Sequence, residues 1–327
     1  MDDLFTTAAL AVLVVSFGVG IVVGLTGMGG GALMTPALIF LGIPATAAVA
    51  NDLVAAAANK TVGAAVHWRH GKPNLRLAGL LIAGSVPFAA AGGFLVQYLG
   101  GESTEEFLIK AIGVALLFAA ASYALRMYLQ LRAVTSGNEA PTDDVAVRVV
   151  PTVLVGAVGG LLVGITSVGS GSLIMVALLL LYPTLSALRL VGTDLLQAVP
   201  LVIAAAIGHV VVSGVDWAVL IPLILGGTPG TFLGARMASW VSQSVIRRGI
   251  VIVLSLTGLK MLGLSPEAVG IIGAGLLLLG PLAWGFVRQT RGLPAFDNNA
   301  AAWRLPSRAD RGLGNADDEK QPDDKVR

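Results

Sequence analysis

The chain has 327 residues, of which 55% are hydrophobic and 12% charged, with a mean hydropathy of +0.84 and a formal net charge of +2. A soluble domain carries about 25% charged residues, so the composition excludes a soluble globular protein and reads as an all-α polytopic membrane protein. With no cysteine, disulfides and thiolate metal sites are excluded; no basic run points to nucleic acid, and the sequence asks for no metal and no other cofactor.

In chain order, Asp2 and Asp3 stand where a secretory signal would carry lysine or arginine, so the first apolar stretch is expected to stay as a helix. Apolar stretches follow at 8–24, 32–43, 45–66, 77–99, 107–131, 149–165, 171–182, 185–207, 218–240, 246–263 and 267–287. Most approach the roughly 20 residues that a spanning helix needs, but 32–43 and 171–182 are too short and read as half-helices.

An internal repeat organises these stretches. "GLTGMGGGALMTP" at 24–36 aligns with "GITSVGSGSLIMV" at 164–176, pairing Gly24 with Gly164, Thr26 with Thr166, Gly29 with Gly169 and Gly31 with Gly171. After a two-residue insertion the offset is 142, and it holds from Asp52/Asp194 through His67/His209, Asn74/Asp216 and Pro87/Pro229 to Gly92/Gly234. The halves are residues 1–131 and 149–263, joined by a cytoplasmic linker at 132–148. An extra transmembrane helix at 264–287 and a charged, cytoplasmic tail at 288–327, expected to be disordered, complete the chain.

Arg69, Lys72, Arg76, Arg132, Arg148, Arg247, Arg248, Arg288 and Arg291 all fall on the cytoplasmic side if each half opens with a glycine-broken hairpin followed by three spanning helices. Three crossings invert the second half, placing the N-terminus outside and the C-terminus inside. The alternative, four crossings per half with parallel repeats, puts Arg247 and Arg248 outside.

Glycine costs a helix about 1 kcal/mol relative to alanine, so clusters at the same place in both halves mark helix breaks. Broken backbone inside a membrane is tolerated only against protein or a watery cavity. The half-helices starting near Gly31 and Gly171 present N–H groups and a positive dipole end, which suits an anion. The candidate binding set is Thr26, Gly27, Gly29, Gly30 and Gly31 with Thr166, Ser167, Gly169, Ser170 and Gly171, Ser172 adding a further hydroxyl. Meeting near the midplane, two such ends form the usual site of a secondary transporter.

Ionisable residues within spanning segments are functional candidates. Asp52 and Asp194 are expected to cap a broken helix or to carry a coupling proton, since an ionised acid beside an anion site repels the substrate. Lys60, matched by Val202 in the other half, could attract the anion or snorkel to the cytoplasmic end. His67 and His209 could couple or anchor a loop, and Asn51, Thr193 and Gln197 could line the path.

The two glycine segments, together with "AAAIGHVVVSGVDW" and "GGTPGTFLGARMA", resemble the TauE/SafE family of sulfite exporters over residues 8–263. The resemblance implies a multi-pass permease of the plasma (inner) membrane, built by internal duplication, that carries sulfite, sulfoacetate or related sulfur-containing or organic anions. This chain departs from the family pattern in "GSG" at 169–171, in Val176 opposite Pro36, and in the extra helix at 267–287. The expected function is secondary transport of a small anion, with a homo-oligomer left open, and no enzyme activity. An anion channel is the nearest alternative. An intramembrane hydrolase using Ser170 and His209 ranks far lower, because a GxSG pattern would need glycine at Val168. A membrane subunit that requires a partner is a third reading.

Overall fold

A computed structural model describes residues 7–26, 30–68, 73–135, 145–238, 240 and 243–290, with the backbone alone at 62–68, 130, 132–135, 187–188 and 243–244. The described residues form eleven α-helices and no β-strand: α1 (Thr7–Thr26), α2 (Gly31–Phe40), α3 (Ala45–Trp68), α4 (Leu75–Gly100), α5 (Thr104–Thr135), α6 (Val149–Thr166), α7 (Leu173–Leu181), α8 (Ala187–Ser213), α9 (Trp217–Met237), α10 (Gln243–Met261) and α11 (Pro266–Gln289). A 3₁₀ turn at Gly101–Ser103 joins α4 to α5. The middle of the expected linker between the halves, residues 136–144, and almost all of the tail lie outside the described residues. The chain divides after Ala283; the packing below concerns the unit that ends there, and residues 284–290 complete α11.

Among the described residues, six apolar helical stretches are long enough to cross a membrane: Thr7–Thr26, Leu75–Leu129, Val149–Thr166, Arg189–Ser213, Trp217–Met237 and Pro266–Gln289. The polar residues Asn51, Asp52, Asn59 and Lys60 keep α3 out of this set, as Arg247, Arg248 and Lys260 do α10. Helices α2 and α7 have 10 and 9 residues, about 15 Å each and half of a hydrocarbon core. Both short segments are therefore the half-helices that their lengths predict, with α7 starting two residues later than Gly171.

Small residues decide which helices touch. In α9, Gly226, Gly230 and Gly234 lie against the carbonyls of Leu13, Phe17 and Ile21 in α1; in α6, Gly156, Gly160 and Gly164 lie against those of Leu81, Ser85 and Ala89 in α4. The rising numbers on both sides make each pair parallel, and the four-residue spacing lets the backbones touch over two turns. A Cβ at Gly160 would come within 2.3 Å of the Ser85 oxygen, whereas one at Gly79 would meet nothing within 4 Å. Gly160→Ala is thus expected to lower the unfolding temperature in detergent, and Gly79→Ala to raise it slightly through the helix preference of about 1 kcal/mol. Equal effects at the two sites would disprove the seam.

Register fixes three further directions. Asn74 N–H at the start of α4 donates to Thr193 Oγ1 of α8 at 3.0 Å, and Gly93 meets Gly208 further along both helices, so α4 and α8 are parallel. Ala48 and Ala55 of α3 share a buried cluster with Val219, Leu220 and Leu223 of α9. Further along both helices Thr228 Oγ1 donates to Asn59 Oδ1 at 3.0 Å, so α3 and α9 are parallel as well. Gly113 of α5 faces Gly258 and Leu262 of α10 while Gly258 faces Leu117, which makes α5 and α10 antiparallel.

Asn74 and Asp216 cap α4 and α9 by accepting from Leu77 N–H and Ala218 N–H, each at 3.0 Å. Helix α3 is closed differently. Glu105, in the first turn of α5, accepts from Ala45 N–H at 2.5 Å, Thr46 N–H at 3.2 Å and Thr46 Oγ1 at 2.5 Å, so a carboxylate from a distant helix takes the orphan donors.

Candidate functional site

The half-helices α2 and α7 begin without side-chain caps, at Gly30 and Ser172. Their dipoles thus face the surroundings with no side-chain cap, although Leu33 N–H donates to Gly30 O and Leu173 N–H to Gly169 O within the breaks. The two breaks meet: Gly31, the first residue of α2, sits so close to the Ser167 carbonyl that a Cβ there would lie 2.0 Å from the oxygen. Ser167 closes α6 in the left-handed region at φ 60°, the one non-glycine residue with positive φ among those described, a conformation that L-residues avoid. Gly169 follows at φ 110° and offers its carbonyl to Ser172 N–H and Leu173 N–H.

Asp52 holds this junction. Its Oδ2 accepts from Thr35 Oγ1 of α2 at 2.5 Å and from Ser167 Oγ at 2.8 Å, and the three residues are buried. One carboxylate oxygen therefore ties α3 to the half-helix of the first break and to the turn of the second. Two charge-assisted bonds of this kind are the stronger class.

Lys60, two turns further along α3, donates from Nζ to Ser170 Oγ in the second break, and its charge interacts with both Asp52 and Asp194. The ammonium of this half-buried side chain thus faces the interior polar cluster, which corrects the snorkelling expected of it. Asp194 Oδ1 accepts from Gln197 Nε2 at 3.0 Å. Beside the acids, the buried amide oxygens Asn51 Oδ1 and Gln197 Oε1 have no hydrogen-bond partner. Asn51 Nδ2 donates to Ala47 O at 2.8 Å, and Thr193 Oγ1 donates to Arg189 O at 2.7 Å.

Other candidates are placed differently from the sequence reading. Thr26 Oγ1 donates back to Val22 O and Val23 O, and Thr166 Oγ1 to Leu162 O; these hydroxyl hydrogens are spent on their own helices. His209, almost fully buried on α8, hydrogen-bonds through Nε2 to Gly164 O at 2.6 Å, so it secures the last turn of α6. With Ser170 on Lys60 and His209 on Gly164, the hydrolase pair does not form. Gly27, Gly29 and the side chain of His67 lie outside the described residues. Thr35 was missed: a single threonine inside "GALMTP" gives no warning that its hydroxyl reaches a carboxylate 17 positions on.

A family model described as "Sulfite exporter TauE/SafE" matches residues 12–261. The chain belongs to that family. Two relatives from Bacillus subtilis (strain 168) align over their whole length: the "Probable membrane transporter protein YjnA", 35% identical over 256 residues and 78% of this chain, and the "Probable membrane transporter protein YdhB", 26% identical over 254 residues and 77% of it. No solved structure matches the chain. The matched segment contains both helix breaks, Asp52, Lys60, Asp194 and His209, and ends before α11, so the junction lies within the part that defines the TauE/SafE family. Family and apolar helices together make this a multi-pass membrane transporter.

Proposed function

We propose that the chain is a secondary transporter of a small anion of the sulfite or organosulfonate class, bound where the two helix breaks meet. The carrying observation is the junction itself: Gly31 against Ser167, with Lys60 on Ser170. Two uncapped helix starts and one ammonium supply positive potential to a buried place. The TauE/SafE description contributes the sulfur chemistry.

We read α1–α5 and α6–α10 as inverted repeats. The reading is supported by the two sets of parallel helices, α1, α3 and α9 against α4, α6 and α8, by the three residues 214–216 that link α8 to α9, and by the antiparallel α5–α10 pair. It places the N-terminus outside and the C-terminus in the cytoplasm. Charge supports proton coupling: an anion entering beside the carboxylates of Asp52 and Asp194 is repelled by each of them while it is ionised, and a proton on Asp52 or Asp194 removes that repulsion. Asp52 faces Thr35, Ser167 and Lys60; Asp194 faces Gln197, Lys60 and Arg126.

Flux of labelled sulfite into vesicles carrying purified protein tests the proposal, against sulfate, sulfoacetate and chloride and with an imposed pH gradient. Saturable uptake, accelerated by counter-substrate and reduced at least tenfold in Lys60→Gln, is expected, since a charged hydrogen bond is worth about 1.5–3 kcal/mol. Non-saturable flux would make the protein a channel, and no flux of any of these anions would sink the anion-carrier reading.

A further inference from the structure

The side chain of Gln197 is satisfied at one end only. Its Nε2 donates to Asp194 Oδ1 at 3.0 Å, while its Oε1, in a fully buried residue, has no hydrogen-bond partner among the described residues. An acceptor shut away from water in this way is costly. Its position is set by α8. Leu190, Asp194, Gln197 and Leu201 lie on one stripe of that helix, and all four are buried. Leu190 and Leu201 belong to the buried cluster that also holds Val168 of the second break, Met175 of α7 and Leu53 of α3.

The two halves treat their acids differently. Asp52 accepts from hydroxyls on two other segments, Thr35 and Ser167. In sequence, the offset of 140 matches Thr35 with Met175 and Ser167 with Gly27, neither of which has a hydroxyl, and the offset of 142 matches Gln197 with Ala55. In place of hydroxyls from other segments, Asp194 has an amide on its own helix.

An amide has two chemically distinct ends. Beside an ionised carboxylate its NH₂ end faces the acid, and Oε1 is turned into the interior. With a proton on Asp194, the carboxyl O–H donates to Oε1 instead. A half-turn about χ3, a torsion that is roughly two-fold, achieves this without backbone movement. The N–H groups then stand where Oε1 stood, and an acceptor that repels an oxyanion is exchanged for donors that bind it.

We infer that Gln197 is a specificity-determining residue that reads the protonation state of Asp194, presenting N–H donors to the anion only when that acid carries a proton. The inference deepens the anion-carrier reading and rests on it. Coupling of this kind is reciprocal: a bound anion favours the proton as much as the proton favours the anion. The ionisable groups that interact with Asp194 are Lys60 of α3 and Arg126 and Tyr123 of α5. Asp52 of α3 is engaged with Thr35 and Ser167, Arg76 and Tyr98 of α4 are exposed, and helices α6 and α7 carry no charged side chain. Asp194→Asn separates the acid from all of these.

The test is equilibrium binding of labelled sulfoacetate to the full chain in nanodiscs, from about pH 5.5 to about pH 8, a range in which a simple carboxylate stays ionised. Wild type should bind at least tenfold tighter at the acid end. Gln197→Met should lose about tenfold at the acid end, the worth of one hydrogen bond to a charge, and nothing at the alkaline end. Asp194→Asn, whose NH₂ holds Gln197 in the turned setting, should bind with the acid-end affinity at every pH. Adding Gln197→Met to Asp194→Asn should cost about tenfold throughout. Should Gln197→Met fail to fold, Gln197→Asn, too short by one methylene to bridge acid and anion, is read in the same way. Equal losses at both ends make Gln197 a packing residue and overturn the inference. An unchanged pH profile in Gln197→Met, or a flat one in wild type, overturns it too while leaving the anion site standing. Absence of binding at every pH defeats the anion-carrier reading together with it.

Discussion

Alanine at Gly31 should abolish anion flux, while alanine at the neighbouring Gly30 should leave flux near the wild-type level. Helix propensity alone predicts the reverse at Gly31, because alanine favours a helix by about 1 kcal/mol. Sterics overrule it: a Cβ at Gly31 would stand 2.0 Å from Ser167 O and 2.8 Å from Ser167 C, both backbone atoms, whereas the nearest atom to a Cβ at Gly30 is a Val23 methyl carbon at 3.9 Å. Relief would require the break between α6 and α7 to retreat by more than 1 Å, as an order-of-magnitude estimate from van der Waals contact, and overpacking of this kind costs about 1–3 kcal/mol. That cost falls on a residue already held at φ 60°. Flux from vesicles with matched amounts of folded protein, checked by size-exclusion and thermal unfolding, is the measurement. Wild-type flux in Gly31→Ala would show that the two breaks need not touch.

The second large effect is expected at Asp52. Asp52→Ala removes the acceptor for Thr35 Oγ1 and Ser167 Oγ together, leaving two buried hydroxyls to be satisfied elsewhere at about 1–3 kcal/mol each. A loss of about 2–4 kcal/mol of stability is expected, visible as a lowered thermal midpoint in detergent. Asp52→Asn keeps an acceptor oxygen and loses the charge, so it should recover most of the stability; loss of the response to a pH gradient in this variant would assign the coupling proton to Asp52, and a retained response would assign it to Asp194. A double-mutant cycle with Ser167→Ala isolates the tie between α3 and the second break, since residues that share a hydrogen bond do not add. Additive losses within about 0.5 kcal/mol would remove the tie from the account.

The glycine clusters make the short helices legible in the sequence, because a break in an apolar run has few physical excuses inside a membrane. Asp52 stood out for a related reason: an acid in a spanning helix demands a partner. The partners themselves were not legible. That Thr35 and Ser167 share one oxygen of Asp52, or that Glu105 closes α3 from 60 positions away, depends on how helices pack, and a lone hydroxyl or a surface-looking glutamate carries no record of it. Thr26 and Thr166 show the opposite error. A threonine at a helix end has its own carbonyls within reach, and local back-bonding wins over a distant ligand. The glycines spaced by four in α6 and α9 did carry a readable pattern, but it marks a contact face without naming the helix that fills it.

The two glycine seams also set an order of assembly during synthesis. Helix α1 ends at Thr26 and its partner α9 begins at Trp217, roughly 190 residues later, a wait of about 10–40 s at ordinary elongation rates. Throughout that interval the glycine-bearing face of α1 lies against lipid or the insertion machinery. The pair α4 and α6 is complete far sooner, so it is the seed on which the nascent chain gathers, and α1, though made before both, is seated after them.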